Sequence, residues 1–270
     1  GYGMLYFSSS SASLAMIASS RFRFAARYAL RHLLLSLGVA LASAAVVFGL
    51  WYPAPYRQML DVGHIYLLVL AVDVVCGPLL TLVLASPKKS RRERWLDFAL
   101  IGLIQLAALA YGMHSVWAAR PVALVFEVDR LVVVTANEVL QDRLPKALPE
   151  FRDLPFAGVL KAGTRKPANG AEMMRSLDLS LGGVPLAAQP DWWQPWADSL
   201  PAMRQRAKPL AELMARKPQA APALQDAARD AGHAAAELSY LPLVSSKTLD
   251  WVALLDAQMN MVGWAPVDGF

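Results

Sequence analysis

His64–Ala85 reads HIYLLVLAVDVVCGPLLTLVLA, and the rest of the chain is organised around it. At ~1.5 Å rise per helical residue, about 20 apolar residues cross a bilayer, and this run supplies them. One carboxylate, Asp73, lies near its middle, and a Gly77-Pro78 pair follows one turn later. An ionisable side chain at the bilayer centre costs about 2.5–3.5 kcal/mol on insertion scales, so it marks function or specific packing. Pro78 has no N–H, so the carbonyl of Val74 loses its helical donor and a kink is expected there.

Two further apolar runs flank this one. Arg21, Arg23, Arg27 and Arg31 precede Leu33–Trp51, and Lys88, Lys89, Arg91, Arg92 and Arg94 precede Leu96–Val116. The first run is too long for the apolar part of a cleaved signal, and WYPAPY is too bulky for a cleavage site. The sequence therefore predicts three membrane helices over 33–51, 64–85 and 96–116, within a membrane region spanning 21–120. Trp51, Tyr52 and Tyr56 are expected as an aromatic belt at the helix exit. The positive-inside rule places the N-terminus and the basic loop in the cytoplasm, and residues 121–270 across the membrane as a periplasmic domain. Residues 1–20 are Ser-rich and read as a disordered or extraneous leader, with Met16 a candidate start.

Charge distribution excludes one obvious class. The net charge is +5, but residues 1–120 carry 11 basic and 4 acidic groups, whereas residues 121–270 carry 15 and 17. The excess lies beside the hydrophobic runs, which encodes orientation and is a poor nucleic-acid footprint. With 56% hydrophobic residues the partners expected are lipid and protein, not nucleic acid. Cys76 is the single cysteine, so no intrachain disulfide forms.

Beyond Arg120 the pattern is mixed. Val122–Val128 and Leu131–Thr135 read as a hairpin around Asp129-Arg130, with a third strand at Ala157–Gly163. Asn137 is expected to cap a short helix to Leu144, and Asn169 one over Ala171–Leu181. Arg204–Arg216 and Ala223–Ala231 have helical spacing; Tyr240–Val244, Trp251–Ala257 and Met261–Val267 read as strands. The fold class is a membrane protein of three transmembrane helices followed by an α+β domain, with an antiparallel sheet expected. Neither an internal repeat nor a heptad seam is evident.

Counting along the helices puts Asp73, Gln105 and Ser43 at one depth. They are the expected polar hub of the bundle, with Gly77 and Pro78 beside it, or else a docking point for a partner helix. In the outer domain PDWWQPW offers Trp192, Trp193 and Trp196 as a contact loop, although aromatics packing a loop onto a core are commoner. Catalytic signatures are missing: there is no G-x-S-x-G, Walker loop, H-E-x-x-H or C-x-x-C. Asp97, the other membrane-region candidate for an acid pair, sits by Arg94 and reads as an ion pair. Glu127 and Asp129 read as solvated turn residues. His64 and His114 lack a third ligand in the sequence for a metal. A protein without catalytic residues, metal or cofactor is expected.

Three segments carry a resemblance: FGLWYPAPY, then LLVLAVDVVCGPLLTLVLASPKK, then LIQLAALAYGMHSVWAARPVALVFEVDRLVVVTANEV. They resemble the type IV pilin accessory proteins of Gram-negative bacteria. The likeness is close over 21–139 and looser beyond, where YLPLVSSKTLDWVALLDA matches best. It implies an inner-membrane protein that assists the stability or assembly of a major pilin, without implying a reaction; a membrane bundle with an outer domain is then expected to bind both the pilin's helix and its head. A membrane-anchored ligand-sensing subunit and a pilin-modifying enzyme are the competing readings.

Overall fold

The computed structural model describes residues 6–86 and 88–270, with side chains from residue 21 onward. Residues 1–5 of the leader lie outside the described residues, and from Tyr6 the backbone is helical. Two compact units form: Gly1–Val47 with Gly63–Val116, and Phe48–Val62 with Trp117–Phe270.

The first unit is built on three helices long and apolar enough to cross a membrane, Arg21–Trp51, Val62–Leu84 and Arg91–Ala118. Each is longer than the apolar run that announces it, because charged flanks such as Arg21–Arg31 and Arg91–Arg94 continue the helical backbone. Most leucines on the third helix, among them Leu100, Leu103 and Leu106, face outward. Outward apolar side chains are what a helix in lipid needs, since hydrocarbon offers them no penalty. Lys89 pairs with Asp97 at 2.5 Å, while Arg94 donates to the Lys89 carbonyl. The sequence gives Asp97 to Arg94; the loop instead folds Lys89 back over the first turn, closer than the residue one turn away.

The second unit is an eight-stranded mixed sheet, mostly antiparallel. Its strands are β1 (Pro121–Glu127), β2 (Arg130–Thr135), β3 (Leu160–Thr164), β4 (Trp193–Pro195), β5 (Lys208–Pro209), β6 (Ser239–Val244), β7 (Trp251–Leu255) and β8 (Met261–Ala265). They run β4-β3-β1-β2-β6-β7-β8, with β5 also on β6. The β1/β3 and β2/β6 pairs are parallel and the others antiparallel. The β1–β2 hairpin forms where the alternating Val-rich runs place it. Central β1 is buried on both faces, as Val122 to Phe126 show, which is why it reads as a continuous apolar run.

Two apolar cores result. One joins β1–β3 to Phe151, Ala187 and Trp193; the other joins β6–β8 to helices Leu210–Arg216 and Ala221–Asp230. The expected single helix over Arg204–Arg216 is broken. Pro209 cannot donate, and Lys208-Pro209 pair with Tyr240 and Ser239 as β5 instead. Asn137 caps no α-helix either: it accepts from Thr135 Oγ1 at 2.6 Å, and a 3-10 segment follows at Gln141–Lys146. Asn169 does cap Gly170–Leu181, accepting from Glu172 N at 2.9 Å.

Residues 48–62 are part of this unit rather than a bare connection. Trp51, Tyr52, Tyr56, Met59 and Leu60 are buried, and Gly158 N donates to Leu50 O at 3.3 Å. The aromatic belt expected at the helix exit is therefore core, because a nearby wall of the sheet domain removes these rings from lipid and water alike. Arg120, only 4% exposed, closes this region. Its guanidinium donates to Pro155 O at 2.8 and 3.2 Å and to Trp117 O at 2.9 Å, and lies 4.0 Å over the Trp117 ring. Burial pushes the Tyr52 hydroxyl far up and Arg120 pulls it partly back; burial alone pushes Tyr56 up to about 12.

Candidate partner-binding site

On the second membrane helix one stripe is buried: Tyr66, Asp73, Gly77, Thr81 and Ala85. Its counterpart on the first helix is Ala25, Ser36, Ala40, Ser43 and Val47. From Asp73 and from Ser36 onward these residues recur at three- and four-residue steps, and Tyr66 and Ala25 lie seven and eleven residues earlier on the same face of their helices. They are small or polar rather than leucine, because helices in lipid gain by close approach and hydrogen bonding. A search for apolar heptads passes over such a seam.

Three polar contacts punctuate it. His32 Nδ1 and Thr81 Oγ1 are 2.6 Å apart. Ser43 Oγ and the Tyr66 hydroxyl are 2.5 Å apart and lie 3.0 and 2.8 Å from Ala40 O, so one hydroxyl donates to that carbonyl and the other donates to its fellow hydroxyl. Gln105 on the third helix donates from Nε2 to the backbone carbonyl of Asp73 at 2.9 Å.

The third contact follows from the local backbone. Val72–Cys76 form a wide π-helical turn, in which carbonyls look five residues ahead instead of four. Five residues beyond Asp73 is Pro78, which has no N–H. The carbonyl of Asp73 is thereby orphaned, and the Gln105 amide fills the place. The sequence puts the loss at Val74 alone; the wide turn moves it one residue back. Gly77 permits the approach, since any Cβ there would overlap the Gln105 amide. Likewise a Cβ on Gly112 would come within 2.7 Å of Val69, so the third helix approaches the second at two glycines.

The expected hub is thus split. Asp73, Gln105, Gly77 and Pro78 come together, but Ser43 does not join them; its hydroxyl is held by Tyr66 and its own helix. Gln105 meets Asp73 at its backbone carbonyl and lies within hydrogen-bonding reach of its carboxyl. Oδ1 of Asp73 is buried and has no hydrogen-bond partner among the described residues. A buried carboxylate oxygen without a donor is costly and is the one unsatisfied group of this seam. Substituting Gly77 by leucine should evict the Gln105 amide, and Gln105→Leu should cost only about 0.6 kcal/mol, the average for such bonds. Cysteine cross-linking between the second and third helices measures both: Gly77→Leu is expected to abolish the cross-link, Gln105→Leu to keep it.

The first two tryptophans of the PDWWQPW loop are not available as contacts. Trp192 and Trp193 are buried. Trp193 donates from Nε1 to Ala187 O at 2.8 Å and meets Phe151 edge-on at 5.9 Å. Trp192 lies under the Arg165 guanidinium at 4.6 Å. Apolar burial and a satisfied indole N–H make them core anchors. Trp196 stays half-buried, with Lys161 Nζ 5.9 Å above its ring. Nor is Glu127 a solvated turn residue: it accepts from Ala187 N at 2.6 Å, and burial pushes its carboxyl above the usual range.

The chain is 39% identical over 254 residues to the fimbrial assembly protein of serogroup I from Dichelobacter nodosus, covering 93% of this chain and 98% of that one. The chain belongs to the fimbrial assembly protein family. The serogroup E1 protein of the same organism is 38% identical with the same coverage. The protein of serogroups C1 and C2 is 45% identical over 127 residues, 47% of this chain and 97% of that one. The family model described as fimbrial assembly protein FimB matches residues 20–61. No solved structure matches. The matched segment 20–61 holds the small-residue stripe of the first helix and the buried loop of the sheet unit. Tyr66, His32 and Thr81 were missed by sequence reasoning; their signal is a polar residue every three or four positions on one helix face.

Proposed function

We propose that this chain is a non-enzymatic accessory protein of the bacterial inner membrane that holds a type IV pilin during pilus assembly. Its relatives are named as fimbrial assembly proteins, which supports a role in building the fibre. The observation that carries the reading is the buried Asp73 Oδ1, which has no hydrogen-bond partner among the described residues, set beside a carbonyl that Pro78 leaves to Gln105 in a membrane helix. A partner helix bringing a polar or cationic group would satisfy it, whereas lipid cannot. His32, Thr81, Ser43, Tyr66 and Gln105 hold each other or backbone carbonyls, which is packing chemistry rather than acid–base chemistry. Asp97, the second membrane-region acid weighed against Asp73, is engaged by Lys89. By the positive-inside rule the basic loop is cytoplasmic and the sheet domain periplasmic, where a pilin head would be held while its helix meets the bundle.

Deletion of the gene is expected to remove surface pili and reduce pilin in the membrane. Intact pilin of altered mass in the deletion strain would instead indicate a modifying enzyme. At equal membrane levels, Asp73→Leu should lower pilin recovered with the tagged full chain by about tenfold, the equivalent of ~1.4 kcal/mol. Asp73→Asn, which retains hydrogen bonding, should keep most of it. Unchanged recovery and normal piliation in both variants would confine Asp73 to packing.

A further inference from the structure

We propose that a groove between the Gly170–Leu181 helix and the tip of the β1–β2 hairpin docks an apolar segment of a partner polypeptide whose flanks carry carboxylates. The groove has a volume of about 590 Å³, with Phe126, Val128, Met173, Leu177, Leu186 and Trp192 among its walls. The helix buries none of its own residues. Met173, Met174, Leu177 and Leu181 instead stand exposed, and adjacent apolar side chains left in water mark an interaction surface. Methionine suits such a surface because its flexible thioether adapts to a partner.

The hairpin tip gives a second, independent observation. Val128 has φ of 57° and is 62% exposed. A β-branched residue in the left-handed region is strained, and glycine or asparagine would relieve it. The fold here keeps a valine at the cost of strain and directs it to the groove rather than to the core. Strain retained with an exposed apolar side chain is characteristic of a contact site.

Charge selects the occupant. Lys166 and Arg206 line the same groove, and among the described residues neither forms an ion pair with a carboxylate; the one carboxylate in the lining, Glu127, is held by Ala187 N at 2.6 Å. Arg165 is already engaged, donating to Glu172 at 2.6 and 3.1 Å. Two free cations around an apolar floor complement carboxylates bracketing apolar side chains. A lipid surface fits less well. A helix lying in a membrane needs a basic polar face, whereas this one carries Glu172, Arg175 and Asp178, and a concave groove is not a flat face.

The inference rests on the pilin-holding reading only for the identity of the partner. Its test uses the full chain in pilin-producing cells, with a photo-cross-linking amino acid at Val128 or Leu177 and, as control, at Gln225. Adducts detected with pilin antibody are expected from the first two positions only. Met173→Ser with Leu177→Ser, and Lys166→Glu with Arg206→Glu, change exposed side chains and should each lower pilin co-purification about tenfold. Val128→Gly should lower it several-fold while leaving the unfolding temperature unchanged or higher, a combination that a packing role does not produce. Adducts to lipid or to a second copy of this chain overturn the proposal. If the groove variants recover pilin like wild type while Asp73→Leu does not, the groove is wrong and the pilin reading stands. If wild type recovers no pilin, both fall.

Discussion

Arg120→Ala is expected to destabilise the sheet domain by about 3 kcal/mol, lowering its unfolding temperature by roughly 6–12 °C. The guanidinium is buried and makes three hydrogen bonds to two carbonyls, those of Pro155 and Trp117. Truncation leaves Pro155 O without a donor, leaves Trp117 O with only the Arg120 backbone N–H at 3.2 Å, and removes the stack on Trp117. Lysine is no substitute: one ammonium cannot reproduce a planar fork that bonds Pro155 O twice and lies flat on an indole. Thermal melts of the detergent-solubilised full chain, followed by tryptophan fluorescence, check this. A shift under 2 °C would show that water replaces the guanidinium without loss.

The second large effect is expected at Trp193. Trp193→Ala should cost about 3–5 kcal/mol, because it empties a fully buried site that neighbouring residues cannot collapse to fill. The ring touches Phe151 and sits in the core with Ala187 and Ala162, and its indole N–H is satisfied by Ala187 O. Trp193→Phe should cost about 1–2 kcal/mol, since a ring remains but the carbonyl is orphaned. Trp196→Ala, three residues on, should change stability by no more than ~0.5 kcal/mol. Equal effects at 193 and 196 would mean that the loop is not anchored by its first half. Chemical denaturation of the full chain distinguishes these outcomes.

The contrast within PDWWQPW illustrates what the sequence can and cannot carry. Aromatic composition and proline spacing mark a special loop, but they do not say which rings turn inward. That depends on strand pairing: Trp193 pairs with Thr164 as the first residue of β4, at the end of a sheet assembled from distant segments. The three membrane helices and the β1–β2 hairpin were legible because their signals are local, apolar length in one case and alternating valines around a turn in the other. The parallel β1/β3 and β2/β6 joints were not, since they unite residues far apart in the chain. At the candidate site, depth counting found Asp73 and Gln105 as neighbours. It misassigned Ser43, because equal depth does not fix which way a helix faces. Tyr66, on the stripe that Asp73 shares, takes the serine instead. The docking groove had no sequence signal beyond an amphipathic helix, and only the fold shows that its apolar face stays uncovered.

Residues 48–62 and 117–270 build one unit although two membrane helices separate them in the chain. The sheet domain is therefore incomplete until the first hairpin of helices has been threaded. During synthesis, Trp51, Tyr52 and Tyr56 must wait for the later strands before they find cover. A chain whose second helix fails to insert would leave these rings on one side of the membrane and their cover on the other. Such a molecule would leave its core unfinished and its apolar rings uncovered. The same dependence means that residues 121–270 produced alone would lack both their Arg120 clasp and one wall.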